Sequence, residues 1–281
     1  MTRIAFLNDA FIPYAEAKIP IADRGFLFAD GVYEVSAVLD GHLVDNDAHL
    51  TRLARSLGAL RIADPYPRER WVEAQAELMR RNGLREGLIY LQVTRGAAER
   101  DFAFPREATP TVVMFTQEKA ILDSPLARTG AKVVSTPDIR WARRDIKSVA
   151  LLAQVLAKQA AVEAGAAEAW MVEDGVVTEG SSSSAFIITR GGAIRTRPLS
   201  HAILPGVTRR AVLALAQEAG LRVEERAFSL DEAKAAVEAF FTSASAFVMP
   251  VVAIDGAAIG DGAPGPLARR LRELYVAMAR G

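Results

Sequence analysis

Alternation of apolar and polar residues near the start of the chain predicts two β-hairpins. The first one turns at Asn8 and Asp9, and the second one turns at Asp40 and Gly41. Such pairs favour tight two-residue turns because their residues tolerate left-handed backbone angles. The N-terminal part of the chain is therefore expected to contain antiparallel sheet.

Helical spacing of apolar residues follows the second hairpin. Leucines at positions 50, 53, 57 and 60 share one helix face, and Asn46 or Asp47 is available as the N-cap of this helix. A second helix is predicted over residues 68–82 and ends at Gly83, because glycine readily adopts the left-handed conformation that terminates helices. Two amphipathic helices are thus expected to pack on the sheet.

Two apolar runs that are typical of buried strands, residues 87–96 and 109–117, complete the first half of the chain. Periodicity is then lost in a stretch that contains proline and glycine. We therefore expect an N-terminal α+β domain over residues 1–120, an interdomain linker over 121–130 and a C-terminal α+β domain over 131–281.

The C-terminal part contains a similar mixture of strands and helices. Its predicted elements are a strand at 131–136, a helix over 148–164, a hairpin at Asp174-Gly175, a helix from 207 to Gly220, a short helix opened by a Ser229–Glu232 capping box, strands at 239–243 and 247–254, and a C-terminal helix. Strands and helices alternate irregularly, and most strand connections are hairpins. This pattern favours an α+β fold over a doubly wound parallel sheet.

Composition excludes several classes of protein. The 281 residues include 34 basic and 34 acidic side chains, so the basic excess of a nucleic-acid-binding protein is missing. The chain has no cysteine, and its three histidines lack the spacing of metal ligands. The first residues lack the apolar core of a signal peptide, and no apolar run is long enough to cross a membrane. We expect a soluble, cytoplasmic protein.

Two residues can take part in carbonyl chemistry. Lys147 directly precedes the helix predicted over 148–164, and its amine can attack an aldehyde. Glu179 opens the run "EGSSSS" between two apolar strands, at the start of a strand, where its carboxylate can hold the protonated nitrogen of a pyridoxal ring. Taken alone, the lysine is more often a surface residue and the glutamate a solvated turn residue.

Three segments can bind a phosphate. Gly206, Val207 and Thr208 begin a helix, whose unpaired N–H groups and dipole attract anions. Arg52 can add a charge-assisted hydrogen bond, and residues 240–245 ("FFTSAS") end a strand in small hydroxyl residues. The alternatives are an ordinary threonine cap after a Pro-Gly turn and an arginine on the solvent face of its helix.

Several motifs occur together in a familiar order. They are "DRGFLFADGVYEV" (23–35), "HLTRL" (49–53), "VTRG" (93–96), "DIRWARRDIKS" (138–148), "VVTEGSSSSAFI" (176–187), "ILPGVTRR" (203–210) and "PVVAIDG" (250–256). This series resembles the class IV pyridoxal-phosphate aminotransferases, nearest to the D-amino-acid transaminase branch. The resemblance extends from about residue 4 to about residue 275.

The resemblance implies a homodimer of fold type IV, with pyridoxal 5′-phosphate in the cleft between two α+β domains. Lys147 matches the catalytic Schiff-base lysine, and Glu179 matches the partner of the ring nitrogen. The remaining implied cofactor residues are Arg52, Leu204, Val207, Thr208, Ser243 and Ala244. Tyr33 and Arg100 match residues of the substrate site, where Arg100 binds the α-carboxylate, and Glu34 matches a carboxylate near the lysine.

Three positions depart from the pattern of D-amino-acid transaminases. Phe102 replaces a histidine that usually helps Arg100 to bind the carboxylate, so the substrate site loses one hydrogen bond. Ser184 stands where asparagine is usual, and Ala244 stands where threonine is usual. The implied reaction is transamination between a D-amino acid and an α-keto acid such as 2-oxoglutarate. The alternatives are an aminodeoxychorismate lyase, a branched-chain L-amino-acid transaminase and an (R)-amine transaminase.

Overall fold

The computed structural model describes residues 2–280, which form two compact units. The N-terminal unit holds the chain up to Ala120 together with Ile146–Ala150, and the C-terminal unit holds Ile121–Asp145 together with the chain from Leu151 onward. The sequence placed residues 146–150 in the C-terminal domain and residues 121–130 in a linker. In the structure the first segment belongs to the N-terminal unit, and the second belongs to the C-terminal unit.

Six antiparallel strands form the sheet of the N-terminal unit. They are β1 (Ile4–Leu7), β2 (Ala10–Pro13), β3 (Gly31–Leu39), β4 (His42–Leu43), β5 (Gly87–Thr94) and β6 (Thr111–Glu118). Their order is β2-β1-β6-β5-β3-β4. Both predicted hairpins are confirmed, and Asn8 and Asp9 have positive φ angles of 46° and 69° as a tight turn requires.

Two long helices cover this sheet. The helices of the unit are the 3-10 helix Tyr14–Glu16, α1 (Arg24–Phe28), α2 (Asn46–Leu60) and α3 (Arg68–Asn82). The apolar faces of α2 and α3 form one buried cluster with side chains of β1, β3, β5 and β6. The N-cap of α2 is Asp45, which has a left-handed conformation, so the prediction of Asn46 or Asp47 as N-cap was wrong.

The C-terminal unit is built on a mixed sheet. Its strands are β7 (Ala131–Pro137), β8 (Glu168–Glu173), β9 (Val176–Gly180), β10 (Ser184–Ile188), β11 (Ile194–Thr196), β12 (Val223–Glu225), β13 (Glu238–Ser243), β14 (Phe247–Ile254) and β15 (Ala257–Ala258). The order is β12-β11-β10-β13-β14-β7-β8-β9, and β15 pairs with β14. Two sheets with many hairpins confirm the α+β fold.

The helices of this unit differ in how far they are buried. They are α4 (Pro125–Thr129), α5 (Leu152–Glu163), α6 (Val207–Glu218), α7 (Leu230–Lys234) and α8 (Pro266–Arg280). The predicted capping box of Ser229 and Glu232 opens α7. Helix α5 buries only Ala157 and Ala161, while several of its larger apolar side chains are exposed.

Helix α5 begins at Leu152, four residues later than predicted. The residues before it are extended along β3 instead, because the N–H of Tyr33 donates to the carbonyl of Lys147 and the N–H of Val149 donates to the carbonyl of Gly31, each over 3.0 Å. Within residues 2–280, no helix has the length and apolar character that crossing a membrane requires.

Candidate functional site

Lys147 is held by its backbone on β3 of the N-terminal unit. Its Nζ lies 4.1 Å from the centroid of the Tyr33 ring, which in turn stacks on Tyr90 at 5.6 Å. Among the described residues, none accepts a hydrogen bond from this Nζ or forms an ion pair with it. The amine is therefore positioned by its backbone and the aromatic ring, without a committed polar partner.

A buried ion-pair group lies on the same strand. Glu34 of β3 accepts hydrogen bonds from Nε and Nη2 of Arg52, both at 2.8 Å, and lies 2.7 Å from Nδ1 of His49. Its side chain is only 2% exposed. Burial alone would raise the pKa of Glu34, but the charge and hydrogen bonds of Arg52, together with His49, lower this pKa to about 2. Glu34 is therefore ionised at neutral pH.

This pairing bears on the predicted role of Arg52. Nε and Nη2 of Arg52 both donate to Glu34, which fixes the plane of the guanidinium group. The sequence motif "HLTRL" places Arg52 and His49 one turn apart on α2, so that both reach Glu34. Binding of a phosphate by Arg52 stays a prediction.

Glu179 lies in the C-terminal unit, near the end of β9 and not at the start of a strand as expected. Its carboxylate receives the backbone N–H of Leu204 at 3.1 and 3.2 Å and a hydrogen bond from Nη1 of Arg140. Burial raises the pKa of Glu179, although the charge of Arg140 and both hydrogen bonds oppose this shift. The carboxyl group of Glu179 is thus buried, and its orientation is fixed by hydrogen bonds from Arg140 and from the backbone of Leu204.

Arg140 is oriented in turn by Asp138. Nε of Arg140 donates to Oδ1 of Asp138 at 2.9 Å, and Nη2 donates to Oδ2 at 2.6 Å. The side chain of Arg140 is 5% exposed, so its ion pairs are buried and differ from weak surface pairs. No role was assigned from the sequence to Arg140, which follows β7 and reaches Glu179 of β9 because the sheet order is β7-β8-β9.

The serine run is organised by a residue that the sequence analysis did not consider. Glu168, at the start of β8, is 1% exposed, and its carboxylate accepts the N–H of Ala169 at 2.9 Å. It also accepts the hydroxyls of three consecutive serines, Ser181, Ser182 and Ser183. Lys158 Nζ lies 3.6 Å from the same carboxylate. These hydroxyls are therefore committed to an internal anion.

A second polar region surrounds the N-terminus of α6. Its N-cap Gly206 provides no side chain, and Val207 and Thr208 in the first turn are buried. A Cβ on Gly206 would come within 2.9 Å of Oγ of Ser184. Ser184 pairs across the sheet with Thr242, whose buried hydroxyl has no hydrogen-bond partner among the described residues. Uncapped N–H groups and an unpaired hydroxyl form a cradle suited to an anion such as a phosphate.

The other predicted residues of this unit lie nearby along the chain. Ser243 ends β13 directly after Thr242, and Ser243 and Ala244 are half-buried. Leu204 is half-buried between Glu179, which accepts its N–H, and the start of α6. Thr242 lies within the run 240–245 that the sequence analysis marked as a possible phosphate edge, although it was not singled out there, and its unpaired hydroxyl distinguishes it.

Arg100 and Phe102 lie on an exposed loop of the N-terminal unit. Phe102 is 78% exposed, and its ring lies 5.4 Å from that of Phe28. The Cζ of Arg100 lies 5.4 Å from the Phe28 centroid and 5.6 Å from the Phe102 centroid. Phe102 stands where a histidine that assists Arg100 was expected, and the structure places the ring of Phe102 beside Arg100.

Comparison with known proteins agrees with this geometry. The family model for amino-transferase class IV matches residues 31–254. D-alanine aminotransferases of Staphylococcus aureus (strain N315) and Bacillus licheniformis are each 40% identical to the chain, covering 95% of both chains in the first case and 94% and 93% in the second. A solved branched-chain amino acid aminotransferase of T.th., with pyridoxamine 5′-phosphate, superposes with a TM-score of 0.90 and 29% identity, covering 100% of this chain and 95% of that one.

Proposed function

The chain belongs to the class IV aminotransferases, and we propose that it transfers the amino group of D-amino acids such as D-alanine to an α-keto acid such as 2-oxoglutarate. It is an enzyme that depends on pyridoxal 5′-phosphate, as this family does. The observation that carries the choice of D-amino acids is the likeness, over nearly the full length, to proteins named D-alanine aminotransferases.

The residues present fit this cofactor. The chain offers an amine without a polar partner at Lys147, a buried carboxyl at Glu179 and a cradle with the unpaired hydroxyl of Thr242. When bound, pyridoxal 5′-phosphate supplies an aldehyde that condenses with amines and a conjugated ring that accepts electrons. In our assignment the phosphate is bound by Arg52, Val207, Thr208, Ser243 and Ala244, and Leu204 packs on the ring.

Lys147 is assigned to the aldehyde end of the cofactor and to the transfer of a proton. An amine with no carboxylate partner would be able to bind an aldehyde and to act as a general base for the proton on the substrate Cα. The backbone hydrogen bond from Tyr33 to Lys147 and the ring beside Nζ restrict where this proton is accepted. Tyr33 is assigned to the substrate pocket for the same reason.

Glu179 is assigned to the ring nitrogen. A carboxyl that is buried and oriented by Arg140 and Leu204 can hold a proton between itself and a nitrogen base without reorganisation by water. Burial raises the pKa of Glu179, and a positive charge on a ring nitrogen beside it would oppose this shift and favour the ionised carboxylate. This arrangement supports a cationic ring nitrogen, which electron withdrawal requires.

Arg100 is assigned to the α-carboxylate of the substrate. Its guanidinium is exposed beside two aromatic rings, and no acidic residue of the described chain forms an ion pair with it. Phe102 cannot donate the hydrogen bond of a histidine, and one hydrogen bond to a charged group is worth about 1.5–3 kcal/mol. We therefore expect weaker binding of small D-amino acids than a complete carboxylate site would give.

A homodimer is part of the proposal. Leu152, Val155, Leu156 and Val162 of α5 are 52–73% exposed, and this apolar face suits contact with a second copy of the chain. Sedimentation velocity that finds only monomers at micromolar concentration would contradict this assignment. The cytoplasmic location expected from the sequence stays a prediction.

A half-reaction tests the substrate. Holoenzyme is mixed separately with D-alanine, L-leucine, an (R)-amine and aminodeoxychorismate, without a second substrate, and the cofactor absorbance is followed. We expect D-alanine to convert the cofactor to its pyridoxamine form and L-leucine to act slowly.

The second candidate is a branched-chain L-amino-acid transaminase, which is favoured by the solved structure of that name and by the apolar Phe102. Rapid conversion by L-leucine alone would select this candidate, and conversion by the amine alone would select an amine transaminase. Release of pyruvate from aminodeoxychorismate without the pyridoxamine form would select a lyase.

A further inference from the structure

The loop that carries Arg100 has no regular secondary structure of its own. Residues 97–105, here called the Arg100 loop, are a mostly exposed part of the connection between β5 and β6. A flexible loop would bring Arg100 to a carboxylate only at a cost in conformational entropy. Contacts that hold this loop in place would lower that cost.

Arg24 donates hydrogen bonds to the backbone of the Arg100 loop. This residue is 3% exposed, and its Nη1 donates to the carbonyl of Asp101 at 2.6 Å, while Nη2 donates to the carbonyl of Phe102 at 3.4 Å. Its Nε donates to Oδ2 of Asp30 at 2.8 Å. These two carbonyls belong to the residues that follow Arg100 in the chain. The buried guanidinium of Arg24 therefore holds the backbone next to the exposed side chain of Arg100.

Asp30 joins this contact to a second buried arginine. Arg95 donates from Nε and Nη2 to Asp30 at 2.8 and 3.0 Å and also donates to the carbonyls of Leu60 and Arg61 at 2.8 and 3.0 Å. Its Cζ lies 3.7 Å from the centroid of Phe104, farther along the same loop. Arg24, Asp30 and Arg95, here called the arginine clamp, thus connect the loop to the end of α2.

Asp30 is the shared anion of the two arginines of the clamp. Burial would raise the pKa of Asp30, but hydrogen bonds and charges of Arg95 and Arg24 lower it below its ordinary value. Backbone hydrogen bonds add to this support, since the N–H of Ala98 donates to the carbonyl of Ala22 at 3.2 Å. Arg100 is the guanidinium of this group that forms no ion pair within the described chain.

We propose that the arginine clamp positions Arg100 and thereby sets the affinity of the enzyme for the α-carboxylate of its amino acid. This inference rests on the proposed function, which assigns that carboxylate to Arg100. The clamp is assigned no contact with substrate or cofactor, so its members are positioning residues. A loop that is already ordered gives Arg100 to the carboxylate without further loss of entropy.

A double-mutant cycle on the holoenzyme tests the proposal. Arg24→Lys keeps the positive charge near Asp30 but loses the planar fork that reaches two carbonyls. We expect Arg24→Lys to raise the KM for D-alanine roughly tenfold, with kcat changed less than about twofold, because binding is affected more than chemistry. Arg100→Ala raises KM at least as much. In the Arg100→Ala background, Arg24→Lys has no further effect on KM, because the residue through which it acts is gone.

Each outcome decides the inference. If Arg24→Lys raises KM by the same factor with and without Arg100, or leaves KM unchanged, the clamp does not act through Arg100 and the proposal is overturned. If Arg100→Ala itself leaves KM unchanged while D-alanine is still converted, the carboxylate assignment fails and the inference fails with it, although the D-amino-acid activity stands.

A milder variant and a matched control complete the test. Phe104→Leu removes the aromatic ring beside Arg95. Because Phe104 is 46% exposed, we expect this variant to fold even if Arg24→Lys does not. Phe104→Leu is expected to raise KM about threefold in the presence of Arg100 and not in its absence. Arg80→Lys, at a surface position of α3 where the side chain pairs with Glu77, is expected to leave both constants unchanged.

Discussion

Replacement of Glu34 by glutamine tests the buried ion pair of the N-terminal unit. Glu34 accepts two hydrogen bonds from Arg52 and contacts His49, and its pKa is lowered from 4.5 to about 2. A shift of this size corresponds to about 3 kcal/mol of stability at pH 7. Glu34→Gln removes this contribution and breaks the buried ion pair with Arg52, which typically costs about 3–5 kcal/mol.

The sign of the pH dependence follows from the direction of the shift. Because the pKa of Glu34 is lower in the folded protein than in the unfolded chain, its stabilisation is fully present above the unfolded pKa of 4.5 and is lost as the pH falls through about 2. Between pH 7 and pH 3, roughly 2 kcal/mol of this contribution is lost in the wild type and none is lost in Glu34→Gln. The difference in the free energy of unfolding between wild type and Glu34→Gln should therefore become smaller as the pH is lowered.

Urea unfolding of both proteins, at several pH values and with the cofactor in fixed excess, measures this difference. Glu77→Gln is the matched control, because the pKa of Glu77 is also lowered to about 2, by Arg80 and Arg81, but its ion pairs lie on the surface. The effect of Glu77→Gln should be small and should vanish in about 1 M salt, whereas that of Glu34→Gln should persist. A stability difference between wild type and Glu34→Gln that does not change with pH would refute the assignment of the lowered pKa.

The remaining predictions concern the cofactor residues. Lys147→Ala should abolish transamination and the yellow Schiff-base absorbance while leaving the far-UV circular dichroism unchanged; activity comparable to wild type would exclude Lys147 as the nucleophile. Glu168→Ala should leave three serine hydroxyls without their acceptor and weaken cofactor binding roughly tenfold, with Glu168→Gln restoring most of it, as measured by cofactor titration. Arg140→Gln should raise the pKa of Glu179 further, because a nearby positive charge is lost, and should shift the pH at which the cofactor absorbance changes; an identical titration would show that Arg140 does not act on Glu179.

Local signals in the sequence were sufficient for most of the secondary structure. The turn at Asn8 and Asp9 and the capping box at Ser229 depend on neighbouring residues alone, and the structure confirms both. The start of α5 was wrong because residues 146–150 are extended along β3, more than 100 positions earlier in the chain. No pattern within this segment encodes that pairing, and the Ala and Leu residues that follow it favour a helix.

Residues with functional side chains were easier to recognise in the sequence than the residues to which they hydrogen-bond. The serines after Glu179 have the composition of a ligand-binding loop, yet three of their hydroxyls bind Glu168, which lies 13 to 15 residues earlier. A lone charged residue at the start of the apolar strand "EAWMV" was the available signal, because a buried carboxylate requires several donors. Similarly, Arg52 was expected to serve an anionic ligand, and the structure adds Glu34 as an internal anion.

Five of the charged residues described above fall into two physical groups. Glu34 and Glu168 are buried anions and Asp30 is a half-buried one; the hydrogen-bond donors of all three come from the chain itself, and such groups orient their neighbours more than they react. Lys147 and Arg100 lie beside aromatic rings and form no ion pair within the described chain. Their polar ends therefore have no internal partner, and our proposal assigns an aldehyde-bearing phosphate cofactor to Lys147 and an amino-acid carboxylate to Arg100.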